Sequence, residues 1–303
     1  MDLRDIKAFV ALAETGSISR TALRLNLTQP ATTRRVQNFE AAIGGAALLD
    51  RTAKPAVLTP IGRQVLEHCR RVLAAVVELE ASASATQEPE GDLRIGIAHG
   101  HAEFVLSSPL DDLRRRYPKI LLRVSSDWTT RLIEDVHSAA LDCAVGLLTN
   151  NHIVPAGMQA MALGQESIVI VAARDSYPRR KGGGALRLRD LADQVWILNP
   201  AGCGCRAALQ RAFDRAGAPM GIATEVFGEE LQLSLIARSS GLGFVPRRQL
   251  DSSPHRQHLR IVRTVDFDLQ ATITMLHGAA LGRLTAAVES LRDTISARLR
   301  RHR

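Results

Sequence analysis

The sequence predicts an all-α N-terminal domain, one long helix and a C-terminal α/β domain built of two lobes. Three observations support this fold class. Apolar residues recur at helical spacing over residues 3–43, a polar break follows at residues 86–91, and strand and helix patterns alternate from there onward. A chain of 303 residues also exceeds the usual size of one domain.

The N-terminal region is expected to form three helices. The first ends at Gly16, and Ser17 is a suitable N-cap for the second, which ends at Asn26. Thr28 caps the third helix, and Gly44–Gly45 terminates it. Two short helices, a tight turn and a longer third helix make a helix-turn-helix pattern.

A β-wing and a long helix should follow. Two short extended pieces at 48–51 and 57–59 flank the basic turn at 52–55, and Pro60 opens the helix. This helix has an apolar stripe at spacings of four and three, consisting of Ile61, Val65, Cys69, Val72, Val76, Leu79 and Ala83. Such a stripe implies a partner chain, the alternative being packing against the chain's own body. We therefore expect a winged helix-turn-helix at 1–59 and a linker and dimerisation helix at 60–88.

Residues 89–303 are expected to form the two-lobe α/β domain. The order strand–helix–strand–helix–strand predicts a doubly wound parallel sheet. The predicted strands are Leu93–Ala98, Ile120–Ser125, Leu141–Leu147, Ser167–Ala173, Val195–Leu198, Ala223–Val226, Leu242–Val245 and Leu269–Leu276, with a last helix over Ala280–Leu299. Lobe 1 should comprise about 91–160 and 268–303, and lobe 2 about 161–267. Two lobes of this kind suggest a hinged module with its ligand between them.

Charge and composition narrow the function. The formal charge is +8, and residues 20–71 hold nine Arg or Lys against three acidic residues, which favours a polyanionic partner. Four cysteines are too few for a disulfide scaffold. No apolar run is long enough for a membrane span, and the first residues do not resemble a signal peptide. We expect a cytoplasmic protein without membrane attachment.

The third helix supplies the expected DNA contacts. Gln29 can pair with adenine through two hydrogen bonds, and threonines and arginines of the same helix can reach bases or phosphates. Basic residues of the wing can follow the DNA backbone. The alternative is a solvated polar face of an interaction helix. The predicted DNA-binding residues are Ser17, Thr28, Gln29, Pro30, Thr32, Thr33, Arg34, Arg35, Arg51 and Lys54.

Residues 1–66 resemble the DNA-binding domain of LysR-type transcriptional regulators. The residues that carry this resemblance are Met1–Asp2–Leu3, Phe9, Glu14, Gly16–Ser17, Ala22, Leu25, Gln29–Pro30–Ala31, Thr33–Arg34, Glu40, Gly44, Arg51, Leu58–Thr59 and Gly62. Further segments resemble the family's effector domain, namely 91–96, 117–118, 141–146 and 241–246. The chain departs from the family pattern at Thr21–Ala22, Phe39–Glu40 and Leu48–Leu49, all of them packing positions.

This resemblance implies a regulator of transcription and not an enzyme. It implies promoter DNA as a partner, a homodimer formed through the linker helix, a homotetramer, and a small-molecule effector held in a domain like a periplasmic binding protein. Carried over by position, the effector-binding residues are His99, Gly100, His101, Trp128, Thr129, Leu148, Thr149, Ala201, Gly202, Cys203 and Phe227. A helix N-terminus favours anions, so a small organic acid or aromatic metabolite is expected near residues 201–203. Glu229–Glu230 is interpreted as the capping face of a helix.

Three alternatives remain open from the sequence. Cys203 and Cys205 resemble the reactive cysteine region of the family's peroxide-sensing branch, although that branch's second cysteine has no match here, and they suggest a thiol redox sensor. With His99 and His101 the same cysteines suggest a zinc site or a metal or redox enzyme, but the Cys–x–Cys spacing is unusual for zinc. The third alternative is a two-lobe solute-binding protein. We expect no metal and no cofactor.

Overall fold

The computed structural model describes residues 1–50, 57–82, 88–99, 102–149, 152–176, 178, 185–238, 241–278 and 281–301. The N-terminal region forms the three expected helices, α1 (Leu3–Thr15), α2 (Ile18–Arg24) and α3 (Gln29–Ala42). Asp2 and Asp5 form a capping box at the start of α1. Gly16 ends this helix in the left-handed conformation, with φ of 63°, which a glycine adopts without steric cost.

The three helices enclose a small apolar core. Phe9 of α1 and Phe39 of α3 are fully buried, and their rings stack with centroids 5.1 Å apart. On α3 the buried side chains are Thr32, Val36 and Phe39, which follow one another at spacings of four and three. The opposite side of α3 consequently faces outward.

The wing and the linker helix occur where the sequence predicts them. Strands β1 (Leu49–Asp50) and β2 (Val57–Leu58) pair in antiparallel fashion, and the turn at 51–56 lies outside the described residues. Helix α4 (Pro60–Ser82) follows.

The apolar stripe of α4 is buried in one part and exposed in another. Cys69 is buried in the core of the N-terminal domain, whereas Ile61, Val72 and Leu79 are exposed. Ala83, the last residue of the predicted stripe, lies outside the described residues. Part of the stripe therefore packs on the chain's own body, and part is open to a partner.

Lobe 1 of the α/β domain begins with an alternation of strands and helices, as expected. Strands β3, β4 and β5 run parallel in the spatial order β4–β3–β5. The elements are β3 (Gly91–Ala98), α5 (Ala102–Arg116), β4 (Ile120–Asp127), α6 (Thr129–His137) and β5 (Cys143–Leu148).

Lobe 2 repeats the arrangement. Its parallel strands are ordered β9–β7–β8, and the sequence did not predict α9 or β10. The elements are β6 (Met158–Ala173), β7 (Val195–Leu198), α7 (Gly204–Arg215), β8 (Gly221–Glu225), α8 (Glu229–Ala237), β9 (Leu242–Pro246), α9 (Arg247–Ser252) and β10 (Leu259–Val262). The chain then returns to lobe 1 with β11 (Leu269–Gly278), which pairs with β5, and α10 (Thr285–Arg301), which contacts α5.

Two long antiparallel strands join the lobes, so the predicted doubly wound parallel sheet is incomplete. β6 and β11 pair along most of their length, β11 also pairs with β5, and β6 also pairs with β9. The main sheet of the described residues thus follows one continuous path, β4–β3–β5–β11–β6–β9–β7–β8, and β10 pairs with β6 beside it. The carboxyl ends of β3, β4, β5 and β7 meet where the lobes face each other, which is where ligands bind in open α/β sheets.

No helix in the described part of the chain combines the length and apolar character that a membrane span requires.

Candidate DNA-binding face and effector cleft

The outer side of α3 is an open, shallow surface rich in polar groups. Thr28 precedes the helix as its N-cap, and its hydroxyl oxygen accepts a hydrogen bond from the Ala31 N–H at 3.3 Å. The surface is lined by Ile18, Gln29, Pro30, Thr33, Arg34, Gln37 and Asn38. Four of the predicted DNA-binding residues are therefore brought together on one face.

Two residues predicted for the same role point elsewhere. Thr32 is 0% exposed, and its hydroxyl donates to the Thr28 carbonyl at 3.0 Å, so the prediction of a DNA contact there is wrong. The guanidinium of Arg35 lies 3.6 Å from the Asp5 carboxylate, on the side of α3 that faces α1. Both positions belong to the packing side of the helix or its margin.

Ser17 occupies the predicted N-cap of α2, but its side chain makes no capping hydrogen bond. Its carbonyl instead accepts from the Thr21 hydroxyl at 2.8 Å. Arg51 and Lys54 of the wing lie outside the described residues.

Sequence reasoning missed Gln37 and Asn38 on this face. Each lies four residues after a residue that was selected, Thr33 and Arg34, and is therefore one helical turn further along the same side. That spacing was available in the sequence and would have identified both.

The second candidate site is a cavity of about 40 Å³ between the lobes. It is lined by Ala98, His99, Trp128, Thr129, Leu147, Asn199, Cys203, Gly204, Cys205, Glu229, Phe244 and Pro246. Four residues of the predicted effector site, His99, Trp128, Thr129 and Cys203, are among them. The strand-end rule therefore selected residues that line a common cavity in the α/β domain.

Aromatic rings form one wall of the cleft. The rings of His99 and Trp128 meet edge to face with centroids 4.6 Å apart. Phe227 stacks against Trp128 at 6.1 Å, and it is 63% exposed, so this wall continues from the cavity to the surface. Gly202 approaches the same indole so closely that a Cβ there would lie 3.0 Å from Trp128 Cδ1. Gly202 also has a φ of 104°, which residues with a side chain rarely adopt. Both the contact with Trp128 and the backbone conformation therefore disfavour a side chain at this position.

Two of the predicted effector-binding residues form hydrogen bonds with other residues of the chain. The Thr129 hydroxyl accepts from the Leu147 N–H at 3.1 Å, and it donates to the Leu147 carbonyl at 3.4 Å. The buried Thr149 contacts His152, whose Nδ1 accepts from the Thr149 N–H at 3.0 Å. Leu148, Thr149 and Ala201 do not line the cavity, and Gly100 and His101 lie outside the described residues.

Cys203 lies at the N-cap of α7, although its side chain makes no capping hydrogen bond. The nearby Cys205 thiol and the backbone N–H groups of Arg206 and Cys205 lower the pKa of Cys203 to about 7 against the opposing effect of burial. The same contact, with burial, raises the pKa of Cys205 well above its ordinary value. Cys203 is therefore the more acidic thiol of the pair.

Glu229 and Asn199 form the polar floor of the cavity, and the sequence did not suggest either. Each is only 7% exposed, and Asn199 Nδ2 donates to Glu229 Oε1 at 3.4 Å. Burial raises the pKa of Glu229. Glu229 and Glu230 lie in the first turn of α8, where the sequence placed a capping face. Glu229 is in addition buried in the cavity, whereas Glu230 accepts from the Ser253 hydroxyl at 3.1 Å.

Comparison with known proteins decides the family. Residues 3–63 match the family of bacterial regulatory helix-turn-helix proteins of the lysR type. Residues 86–300 match the LysR substrate binding domain family. The chain belongs to the LysR family. It is therefore a DNA-binding regulator of transcription and not an enzyme.

Relatives of this LysR regulator include proteins described as transcriptional regulators. It is 25% identical over 286 residues to YvbU of Bacillus subtilis, an uncharacterized HTH-type transcriptional regulator, covering 93% of this chain and 94% of YvbU. It is 33% identical over 169 residues to a probable hydrogen peroxide-inducible genes activator of Mycobacterium xenopi, covering 55% of this chain and 87% of that protein. A full-length OxyR variant from Pseudomonas aeruginosa shares the fold, with a TM-score of 0.78 at 19% identity over 97% of this chain and 94% of OxyR.

The LysR assignment also bears on the alternatives. A helix-turn-helix domain of this family argues against a solute-binding protein. In the part of the regulator that the structure describes, no group of three or more His, Cys, Asp or Glu side chains is placed to hold a metal ion. His101, one of the four residues considered for zinc, is outside that part.

Proposed function

We propose that this regulator binds promoter DNA through the outer face of α3 and is controlled by a small molecule bound between the lobes. The observation that carries the proposal is the interlobe cavity, whose lining comes from both lobes. A ligand that contacts both lobes favours one lobe arrangement over another. Such a difference in affinity between two states is what control by an effector requires.

The polar face of α3 supports the DNA-binding half of the proposal. In a major groove the Gln29 amide offers both a donor and an acceptor to adenine, and Arg34 reaches guanine or a phosphate. Thr33 and Pro30 lie between them on the same face. Ser17, the N-cap of α2, and Thr28, the N-cap of α3, are proposed to contact phosphates, and Arg51 and Lys54 to follow the backbone from the wing.

The exposed apolar residues of α4 support a dimer. Ile61, Val72 and Leu79 are large apolar side chains left exposed in a single chain. Pairing with α4 of a second copy would bury them, as in a coiled coil. We propose a homodimer through α4 and, from the family resemblance, a tetramer built from two such dimers.

Arg70 of α4 links the two halves of the molecule. Its guanidinium lies 3.6 Å from the Glu14 carboxylate of α1, and it is within electrostatic reach of Arg94 and Asp135 of the α/β domain. Burial lowers the pKa of Arg70 against the favourable effect of Glu14. We propose that this residue makes α1 sensitive to the position of the α/β domain.

The test begins by selecting genomic DNA fragments with the full chain and measuring its affinity for a selected fragment and for a scrambled duplex. Gln29→Ala should weaken binding to the selected fragment by about 1–3 kcal/mol and leave the scrambled duplex nearly unaffected. Gln210→Ala, a similar truncation in α7, is the control and should change neither. An equal loss on both duplexes would contradict base reading by Gln29, and failure to enrich any fragment would contradict the proposal.

A thiol redox sensor is the second candidate, and the low pKa of Cys203 favours it. The Cys203 thiolate would attack a peroxide oxygen, so that an S–O bond forms, the O–O bond breaks, and the departing hydroxide takes up a proton to leave water. The result is a sulfenic acid at Cys203. The cavity can admit a molecule as small as hydrogen peroxide, and a relative is named for peroxide induction.

Mass spectrometry of the peroxide-treated chain separates the two candidates. If the regulator is a thiol redox sensor, peroxide should add one oxygen at Cys203 or produce a disulfide with Cys205. The same treatment should change the DNA affinity of the wild type and not that of Cys203→Ser. Cys69, whose pKa burial raises to about 11, is the internal control and should stay reduced. Unmodified Cys203 at an excess of peroxide would remove this candidate.

A further inference from the structure

Two buried polar side chains that line the cleft can accept hydrogen bonds. Glu229 contributes a carboxyl group and Asn199 an amide, and both are more than nine-tenths buried. Among the described lining residues there is no lysine or arginine. The nearby Arg206 is already engaged, since its Nη1 donates to the Glu225 carboxylate at 2.7 Å and to the Asn199 carbonyl at 2.9 Å.

Asn199 presents one unused acceptor. Its Nδ2 donates to Glu229 Oε1 at 3.4 Å, which leaves Oδ1 as the other end of the amide. The other amide atom, Asn199 Oδ1, is buried and has no hydrogen-bond partner among the described residues. A buried acceptor without a donor costs free energy, so a ligand that supplies an N–H there gains affinity.

The anion site expected from the sequence, the N-terminus of α7, is the place of the Cys203 side chain. The N–H groups of Cys205 and Arg206, at the start of α7, lower the pKa of Cys203, so its sulfur would compete there with an added anion. A carboxylate placed near residues 201–203 would also lie close to the Glu229 carboxyl, which lines the same cavity as Cys203. The chemistry of the site is therefore better suited to a cation than to an anion.

We propose that the effector carries a primary ammonium group, which binds Glu229 and Asn199 Oδ1 while its apolar portion lies along Trp128 and Phe227. This proposal rests on the proposed control by a small molecule, and it replaces the organic acid expected from the sequence. An ammonium group has three donors and no acceptor, which matches a lining of acceptors. The faces of aromatic rings also attract cations.

The size and shape of the cleft fit this ligand. A volume of about 40 Å³ has room for a few small atoms but not for an aromatic ring. The ammonium group would therefore fill the cavity, and the remainder would have to leave it. The exposed ring of Phe227, stacked on Trp128, provides an apolar path outward.

The experiment compares three probes of one carbon skeleton on the full chain: hexylammonium, hexanoate and 1-hexanol. Calorimetric titration and thermal melting should show that hexylammonium binds about tenfold or more tightly than the other two. Glu229→Gln should weaken hexylammonium binding by about tenfold to a hundredfold. Glu230→Gln, the same change at the next residue of α8, is the matched control and should alter it less than about twofold.

A variant of an exposed side chain keeps the test valid if Glu229→Gln fails to fold. Phe227→Ala should fold normally and weaken hexylammonium binding by about threefold or more. Hexanoate binding as tightly as hexylammonium, or no hexylammonium binding at about 10 mM, would overturn the proposal.

DNA affinity measured with each probe separates this proposal from the proposed function. If hexanoate binds best and alters DNA affinity, the ammonium proposal fails while effector control stands. If hexylammonium binds through Glu229 without altering DNA affinity, the ligand class stands and the proposed control fails.

Discussion

The two candidate binding surfaces of this LysR regulator differ in where their polar groups lie. On α3 the side chains of Gln29 and Arg34 are exposed on an open face. In the cleft, Glu229 and Asn199 are buried, and burial raises the pKa of the Glu229 carboxyl. One surface is suited to a large polyanion, and the other to a small ligand that supplies hydrogen-bond donors.

This difference predicts which solution condition affects each surface. Exposed cations bind DNA by displacing its counterions, so salt should weaken DNA binding strongly. A buried carboxyl is screened much less by salt, but its protonation changes the charge offered to a ligand. Salt should therefore act mainly on α3, and pH mainly on the cleft.

The largest expected effect comes from breaking the N-terminal core. Phe9→Ala removes a fully buried ring that stacks on Phe39 and should cost about 3–5 kcal/mol. That is a large part of the stability of a small domain, so DNA binding should be lost near 37 °C. The melting of the α/β domain should change little, because Phe9 lies in a separate hydrophobic cluster.

Calorimetry of Phe9→Ala beside Leu23→Ala checks this separation. Leu23 is exposed, so its truncation should change stability by less than about 0.5 kcal/mol. A fall in the melting temperature of the α/β domain together with loss of the N-terminal domain would show that the two surfaces do not fold independently.

The next effect distinguishes two neighbouring arginines. Arg34→Ala should weaken DNA binding by about 1–3 kcal/mol and reduce the slope of log affinity against log salt by about one, because Arg34 lies on the open face. Arg35→Ala should have the smaller effect, since that guanidinium is directed toward Asp5. Salt titrations of both variants on one duplex measure this; equal slopes would mean that Arg35 also reaches the DNA.

The contrast between the surfaces also explains what the sequence could predict. The ends of α1 and α3 follow from local rules, since Gly16 and Gly44–Gly45 adopt positive φ there. The buried side of α3 could also be predicted from the sequence, because Thr32, Val36 and Phe39 recur at helical spacing. Applying that spacing would have excluded Thr32 and included Gln37.

The cleft was less predictable because burial there arises from tertiary structure. Glu229 begins a helix after a glycine, which predicts a capping position. Its burial beside Asn199 comes from residues of both lobes that line one cavity and are distant in sequence. The first part of β6 was missed for a similar reason. Residues 158–166 lack a continuous apolar run and are held in the sheet by pairing with the distant β11.

The next prediction concerns pH and stability. Burial raises the folded-state pKa of Glu229, so the folded chain holds this proton more tightly than the unfolded chain does. Stability should therefore fall as pH rises from the ordinary carboxyl range through the raised pKa, by about 1.4 kcal/mol for each unit of the shift. Glu229→Gln should flatten this fall, and hexylammonium should oppose it by pairing with the carboxylate.

Other titratable groups face Glu229, and the measurement must separate them. They are His99 from lobe 1, together with Cys203 and Cys205 of α7. Below pH 7 Cys203 stays mainly protonated, because its pKa is about 7. Melting curves of the wild type and Glu229→Gln are therefore compared in that range, and a second pair in a His99→Gln background shows which part of the difference needs the imidazole. Parallel curves would mean that Glu229 ionises normally in the folded chain.

The smallest expected effect tests how far the DNA-binding face extends along α3. Gln37 is one turn beyond Thr33 on the same surface, so Gln37→Ala should remove one polar contact, worth about 0.5–1.5 kcal/mol. The loss should appear on a selected DNA fragment and leave both the salt slope and the pH dependence of melting unchanged, because the side chain is neutral. Titration of the variant against the selected fragment and a scrambled duplex measures it. If affinity for both duplexes is unaltered, the contact surface ends within the first turns of the helix, and DNA reading depends on Gln29, Thr33 and Arg34.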